Sequence, residues 1–208
     1  DESVLDVSTT TVVEGDGVYS ATTNVAAAFE GTAAGNFGTD GAGTTSYAVS
    51  FTGTGTGTGS GLFILDPSNT TAGEVGKGAE ITLQDNTDGT VSGMNGPAKV
   101  FTISVSTSGE VTFAYEKTTD PANIWHADTT SATSATSGDD ASLLKTVATK
   151  QLVVKQTLVD ADGDSVTSDG LDIGTGKFFK IEDDGPTLTS VESASVVNNS
   201  SGSDTGTS

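Results

Sequence analysis

Three aspartates on alternate residues, Asp160, Asp162 and Asp164, lie in the segment 159–165, which reads VDADGDS. Carboxylates crowded in this way repel one another unless a cation lies among them. Calcium takes six to eight oxygen ligands, and clustered carboxylates with nearby carbonyls supply them. The alternative is a solvated hairpin tip, because Asp-Gly between two apolar runs is a strong turn signal. A turn explains Asp162 and Gly163 but not the two flanking aspartates, so the segment is predicted to bind calcium.

The segment is not an EF-hand, although its aspartates match the first three ligand positions of that loop. Ser165 stands where the loop needs glycine, and Leu171 stands where it needs a bidentate glutamate. Apolar residues alternate on both sides of the segment, which is typical of strands rather than helices. The calcium site is therefore predicted on a β-hairpin.

Other acidic residues add candidate ligands. Eight acids fall between residues 160 and 184, and the dense group EDDGP at 182–186 ends in a turn. An Asp-Gly turn or a side-chain capped turn is the favoured interpretation for Asp40, Asp85, Asp88, Asp139 and Asp140. The remaining metal candidates are Glu182, Asp183 and Asp184 near the C-terminal end and Glu2 near the start.

A period of two runs through most of the chain and predicts strands. In the segment 44–53, Tyr47, Val49 and Phe51 alternate toward one face, and 99–117 is the clearest hairpin, with its turn at Ser108-Gly109. The pattern favours an all-β, β-sandwich-like single domain with long loops. Further strand candidates are the TTTVVEG and VYSATTNVAAAF runs and segments 61–66, 79–85, 150–160, 166–174 and 177–186.

Helical signals are confined to DDASLLKTVATKQL (139–152), where Asp139 could cap one or two turns of a short helix. The Gly-Thr tract at 52–61 and the Ser/Thr-rich segment at 126–140 are predicted to be loops of the same domain. Residues 1–192 are thus predicted to form one calcium-binding module, followed by a linker or flexible tail at 193–208.

The composition limits the classes of partner that the protein can bind. The formal net charge is −20, from 28 acidic residues against 8 lysines. Such a field repels nucleic acid and attracts cations, and bound divalent ions would relieve the self-repulsion of the fold. No cysteine is present for disulfides or thiolate metal sites. No apolar run reaches the roughly 18 residues of a membrane span, and no basic, apolar leader opens the chain. We expect a monomeric module of a longer exported protein.

Catalysis is not predicted. The chain lacks a G-x-S-x-G nucleophile motif and a phosphate-binding loop, and it holds a single histidine. That residue, His126, follows the only tryptophan, Trp125. The pair could line a ligand groove together with Asp139 and Asp140, although a tryptophan is more often a core anchor.

The order of motifs GTDGAG, YAVSFTG, SGLF, VFTISVSTSGEVTFAYEK, IWHAD, DADGDS and FKIEDDGPTL resembles a repeat module of the long, type I-secreted RTX adhesins of bacteria. The resemblance covers about residues 1–190. It implies an extracellular location on the bacterial cell surface and calcium at the acidic motifs. Some modules of this group are calcium-dependent peptide-binding domains, in which the ion is implied to receive the C-terminal carboxylate of a partner protein. The resemblance implies calcium ligands at Asp160, Asp162, Asp164, Glu182, Asp183, Asp184 and Asp40.

Three functions follow as hypotheses from these observations. The first is calcium-dependent binding of peptide C-termini during cell adhesion. The second is a structural extender repeat, in which the protein coordinates every calcium ion fully. The third is a carbohydrate-binding module, in which calcium contacts sugar hydroxyls. All three share the metal, and they differ in whether the ion is open to a ligand and in what that ligand is.

Overall fold

The computed structural model describes residues 10–13, 20–29, 37–54, 57–116, 124–127 and 140–182. These residues form an all-β domain, as the periodicity predicted. The strands are β1 (Thr10–Val13), β2 (Ser20–Asn24), β3 (Ala42–Phe51), β4 (Gly57–Leu65), β5 (Lys77–Asp85), β6 (Val91–Asn95), β7 (Ala98–Val105), β8 (Glu110–Tyr115), β9 (Ile124–Trp125), β10 (Ala141–Lys145), β11 (Leu152–Asp160), β12 (Ser165–Thr167), β13 (Leu171–Asp172) and β14 (Thr175–Glu182).

Within these residues the strands form three sheets. The largest has seven strands in the order β2-β8-β7-β6-β5-β4-β9. In the four-stranded sheet, β11 pairs with β3 on one side and with β12 and β13 on the other. The smallest has the order β1-β14-β10, and its β1–β14 pair is parallel, whereas the other described pairs are antiparallel.

The β7–β8 hairpin illustrates how sequence alternation builds this core. Phe101 and Ile103 on β7 pair with Tyr115 and Phe113 on β8, and all four side chains are buried. The Phe101 and Phe113 rings lie 4.5 Å apart. Burying one such side chain stabilises the fold by about 1.5–3 kcal/mol. The prediction of a hairpin at 99–117 is confirmed.

One hydrophobic core joins the three sheets. Phe179 of β14 lies 5.5 Å from Phe113 of the large sheet, measured between ring centroids. Val49 of β3 and Val154 of β11 are buried in the same cluster. The core therefore holds the four-stranded sheet against the rest of the domain. The loops at the end of that sheet have a defined position as a result.

The predicted helix at 139–152 is wrong. Residues Ala141–Lys145 form β10, and β11 begins at Leu152. β10 pairs with β14 and buries Leu144 completely, and this pairing outweighs the local preference for a helix. The helical segment of the described chain is a single 3₁₀ turn at Ala26–Ala28.

The Gly-Thr tract was predicted to be a loop throughout, and this is wrong for its second half. β4 begins at Gly57 and pairs with β5. Glycine has a structural reason at Gly61, where φ is +72° and an added Cβ would lie 3.1 Å from the Lys145 carbonyl oxygen. Glycine in this strand marks a close approach rather than a flexible linker.

Several predictions fall outside the described residues, including the loop at 129–138, the tail at 193–208 and the module boundary at 192. A search of the described chain for a helix long and apolar enough to cross a lipid bilayer finds none.

Candidate metal centre

Three carboxylates from two separate segments converge at one end of the four-stranded sheet. Asp40 precedes β3, Asp160 ends β11, and Asp162 lies in the turn that follows. One carboxylate oxygen of each residue lies within 4.8 Å of the other two. We call these three residues the acidic triad. Asp40 is about 120 residues from the other two along the chain, and the β3–β11 pairing brings it to them.

The backbone explains why Asp40 reaches the turn. The antiparallel register of β3 and β11 shifts between Val159 and Asp160, where Asp160 pairs with Ala42. The Ala161 amide then donates a hydrogen bond to the Gly41 carbonyl at 3.2 Å. A Cβ at Gly43 would clash with the carbonyl oxygens of Val159 and Asp160. Glycine is therefore required for the two segments to lie this close.

Asp160 also organises the turn itself. Its Oδ1 accepts hydrogen bonds from the Gly163 amide at 3.0 Å and the Asp164 amide at 2.8 Å. The Asp160 amide donates in turn to the Asp164 carbonyl at 2.9 Å. A side-chain hydrogen bond with Asp162, followed by these backbone amides, holds the pKa of Asp160 below its ordinary value. The carboxylate is thus kept charged and fixed in direction.

The acidic triad suits a hard cation. Calcium lies 2.3–2.6 Å from its oxygen ligands, so two ligands of one ion are up to about 5 Å apart. The separations within the triad fit that limit. Three carboxylates supply three to six oxygens, whereas calcium takes six to eight. Water, main-chain carbonyls or an external ligand would complete the coordination shell. Because Asp40 and Asp162 are exposed, such a ligand has access from solvent.

An open cavity of about 210 Å³ adjoins the acidic triad. Its apolar lining comes from Phe37, Leu158 and Val166, and its acidic edge comes from Asp160 and Asp164. Phe37 and Leu158 are buried, while Val166 is 60% exposed. Pockets for small molecules usually measure about 300–1,000 Å³. The cavity is therefore closer in size to one apolar side chain than to a larger ligand.

The other predicted metal ligands are divided between the described and undescribed parts of the chain. The Asp164 side chain lines the cavity rather than joining the acidic triad. Glu182 forms an ion pair with Lys180 on β14. Glu2, Asp183 and Asp184 lie outside the described residues, so a second site around EDDGP stays a prediction.

Three of the predicted ligand-binding residues are described: Trp125 lies on β9, His126 follows it, and Asp140 immediately precedes β10. Trp125 ends β9 at the edge of the seven-stranded sheet, and its Nε1 donates to the Val75 carbonyl at 2.8 Å. The Lys77 ammonium lies 5.3 Å from the Trp125 ring. His126 Nδ1 is 3.2 Å from the Ser142 hydroxyl, and Asp140 is buried. Trp125 is thus half-buried, and neighbouring residues hold its ring in place. Asp139 lies outside the described residues, and a ligand-binding role for these four residues stays a prediction.

The interpretation of Asp85 and Asp88 as turn residues is confirmed. Asp85 Oδ1 accepts from the Thr87 amide at 2.8 Å, and Asp88 Oδ1 accepts from the Thr90 amide at 3.0 Å. The cavity beside the acidic triad was not foreseen. The one sequence signal for it was an aromatic residue, Phe37, three positions before Asp40.

Comparison with known proteins places most of the chain in one family. Residues 1–174 match the family described as a domain of unknown function (DUF5801), and the chain belongs to that family. No curated protein and no solved structure matches the chain. A function for the domain is therefore argued from its own site.

Proposed function

We propose that this domain is a calcium-dependent ligand-binding module of a bacterial surface adhesin. In this proposal the acidic triad holds a calcium ion, and the ion receives the C-terminal carboxylate of a peptide on a partner cell. The observation that carries the proposal is the meeting of Asp40 with Asp160 and Asp162 beside an open, apolar cavity. The motif order that resembles RTX adhesin modules supports the extracellular setting.

The metal is needed for an anionic ligand to bind here. The chain has a net charge of −20, and the three carboxylates of the acidic triad line the site, so a free peptide carboxylate would be repelled. Calcium offsets two of those local charges and offers direct coordination in place of water. The peptide carboxylate would therefore bind only to the calcium-loaded protein.

The cavity would provide a second contact with the bound peptide. A carboxylate on calcium would place the last side chain of the peptide near the acidic triad, and Phe37, Leu158 and Val166 form the neighbouring apolar surface. An apolar final residue would bury its side chain there, whereas an acidic one would face Asp160 and Asp164. We expect peptides that end in an apolar residue to bind most tightly.

Calorimetric titration with short peptides tests this function. Each peptide is used with a free C-terminal acid and with an amidated end, in calcium and in EDTA. We expect binding heat only for the free acid in calcium. Heat of equal size from the amidated peptide, or in EDTA, would contradict the proposal.

Two variants sharpen the test. Asp162→Asn should weaken calcium binding and peptide binding together, by about tenfold, whereas Val166→Asp should keep calcium and lose affinity for apolar-ended peptides. Asp88→Asn is the matched control, because Asp88 serves its own turn. Calcium-linked stabilisation with no response to a diverse peptide library would favour a structural extender. Binding on a glycan array without a peptide response would favour a carbohydrate-binding module.

A further inference from the structure

The first and last strands of the described residues, β1 and β14, are paired in parallel in an uninterrupted register. Thr10 pairs with Phe179, and the pairing continues to Val13 with Glu182. The chain therefore enters the pair at the start of β1 and leaves it at the far end of β14. We propose that this pair is a mechanical clamp, which lets the domain resist tension applied along its chain.

The direction of the pull gives the clamp its strength. Tension on the two chain ends draws β1 and β14 in opposite directions along their common axis. The ladder of evenly spaced interstrand hydrogen bonds is then loaded all at once, because the bonds run across the pull. An antiparallel hairpin pulled from its open end instead loses its bonds one pair at a time. The first geometry raises the barrier that governs forced unfolding.

The anchoring of β14 determines which strand moves first. β14 pairs with β10 on its other side, and its Phe179 and Ile181 are buried in the core. The Phe179 ring also contacts Phe113 of the seven-stranded sheet. Within the described chain, β1 has a ladder with β14 alone. Tension should therefore shear β1 off an otherwise fixed β14.

This inference does not rest on the proposed function. The acidic triad lies at the end of the four-stranded sheet, and the clamp belongs to the three-stranded sheet. A protein with no ligand at all would still have the clamp. A failure to bind calcium or peptide would leave it unaffected, and mechanical weakness would leave the binding proposal unaffected.

Single-molecule force spectroscopy tests the clamp by changing only the pulling points. The chain has no cysteine, so pairs of introduced cysteines define the attachments without interference. Asp1→Cys with Ser208→Cys pulls along β1 and β14. Lys99→Cys with Glu116→Cys, at two residues that form an ion pair across the open end of the β7–β8 hairpin, pulls that hairpin apart from its open end. At one loading rate, we expect a several-fold higher unfolding force for the first pair. An equal or lower force for the first pair would overturn the proposal.

A disulfide across the clamp provides a second test. Thr11 and Lys180 are partners in the register, so Thr11→Cys with Lys180→Cys places two thiols across the ladder. Without the bridge, complete unfolding of residues 10–182 releases roughly 600 Å of chain. When the bridge is oxidised, pulling from the ends should no longer release the segment between residues 11 and 180. Reduction of the same variant should restore the full length. A release of full length in the oxidised protein would show that β1 is not paired in this register.

Discussion

Two acidic turns of this domain, DADGD at 160–164 and DNTDG at 85–89, are alike in sequence and differ in what their carboxylates contact. Both contain an Asp-Gly step, and both glycines have positive φ, at +100° for Gly163 and +85° for Gly89. In both, aspartate oxygens accept backbone amides of the same turn. Asp88 Oδ1 also accepts the Thr90 hydroxyl at 2.6 Å.

The difference is the arrival of a carboxylate from elsewhere in the chain. Asp160 and Asp162 are joined by Asp40, whereas Asp85 and Asp88 each serve their own turn. Three carboxylates at one point create a charge that a cation would neutralise, whereas Asp85 and Asp88 each accept the backbone amide two residues ahead. The number of acids in a turn is thus a weaker indication of a metal site than the tertiary contacts of the turn.

The largest effect is expected from removing the close approach that brings Asp40 to its partners. Gly43→Ala places a Cβ against the carbonyl oxygens of Val159 and Asp160, and overpacking of this kind costs about 1–3 kcal/mol. For a domain of this size we expect the melting temperature in EDTA to fall by about 5–10 °C. Stabilisation by calcium should be lost as well.

Gly73→Ala is the control for that variant. Gly73 has positive φ, unlike Gly43, and a Cβ added there would meet no neighbour, so the substitution adds backbone strain without touching the acidic triad. Its response to calcium should be that of the wild type. Unchanged calcium stabilisation in Gly43→Ala would show that the approach of the two segments is not needed for the metal.

The second largest effect is expected from Asp160, the central carboxylate of the acidic triad. Asp160→Asn keeps an oxygen to accept the Gly163 and Asp164 amides and removes the charge. We expect the calcium dissociation constant to rise by more than tenfold in calorimetric titration, with the turn retained. Asp88→Asn makes the same chemical change in the other turn and should leave the dissociation constant unaltered. Equal effects of the two substitutions would remove the distinction between the turns.

A smaller effect is expected from Asp162→Ala, because the Asp162 side chain is exposed. A tenfold loss of calcium affinity corresponds to about 1.4 kcal/mol. The melting temperature measured in saturating calcium should fall by about 3–6 °C and remain unchanged in EDTA. A fall of the same size in both buffers would identify Asp162 as a structural turn residue.

The smallest effect is expected from the DNTDG turn, which no carboxylate of another described segment joins. Asp85→Ala removes the acceptor of the Thr87 amide, which lies near the surface. We expect the melting temperature to fall by about 1–2 °C, equally in calcium and in EDTA. A calcium-dependent difference would indicate that this turn also binds the ion.

Acid titration tests the side-chain hydrogen bonds of the DNTDG turn. Hydrogen bonds from the Thr90 hydroxyl and amide lower the pKa of Asp88, and those from Ser68 lower the pKa of Asp66. A depressed folded-state pKa stabilises the protein above the unfolded pKa, near 4, and that contribution is lost as the pH falls through the folded value. In EDTA, Asp88→Ala should therefore weaken the loss of stability below pH 4. An unchanged loss of stability below pH 4 in this variant would contradict this account of the turn.

Much of the fold could be predicted from the sequence, because strand alternation is a local signal. The hairpin at 99–117 and the strands on either side of DADGD follow directly from it. The helix predicted at 139–152 is wrong for the opposite reason, because the strand that forms there depends on a distant segment. Acidic residues and leucines favour a helix locally, but the β10–β14 pairing depends on residues about 40 positions further along the chain.

The site was predictable only in part, because it too depends on contacts between residues that are far apart in the sequence. Asp160 and Asp162 were prominent because they are neighbours in sequence, and Asp40 was one of several weaker candidates. Its position depends on the β3–β11 register, on the shift at Val159 and on Gly43. None of these has a short-range signature, and the same holds for the cavity beside the acidic triad.

Calcium titration of the Asp40→Asn variant tests the central claim most directly, because Asp40 joins the turn only through the fold. Wild-type protein should bind calcium with a dissociation constant of roughly 0.1–1 mM, as extracellular modules do. Asp40→Asn should lose that binding step, while Asp85→Asn should keep it. If Asp40→Asn binds calcium as the wild type does, the three carboxylates do not share an ion, and the metal centre described above does not exist.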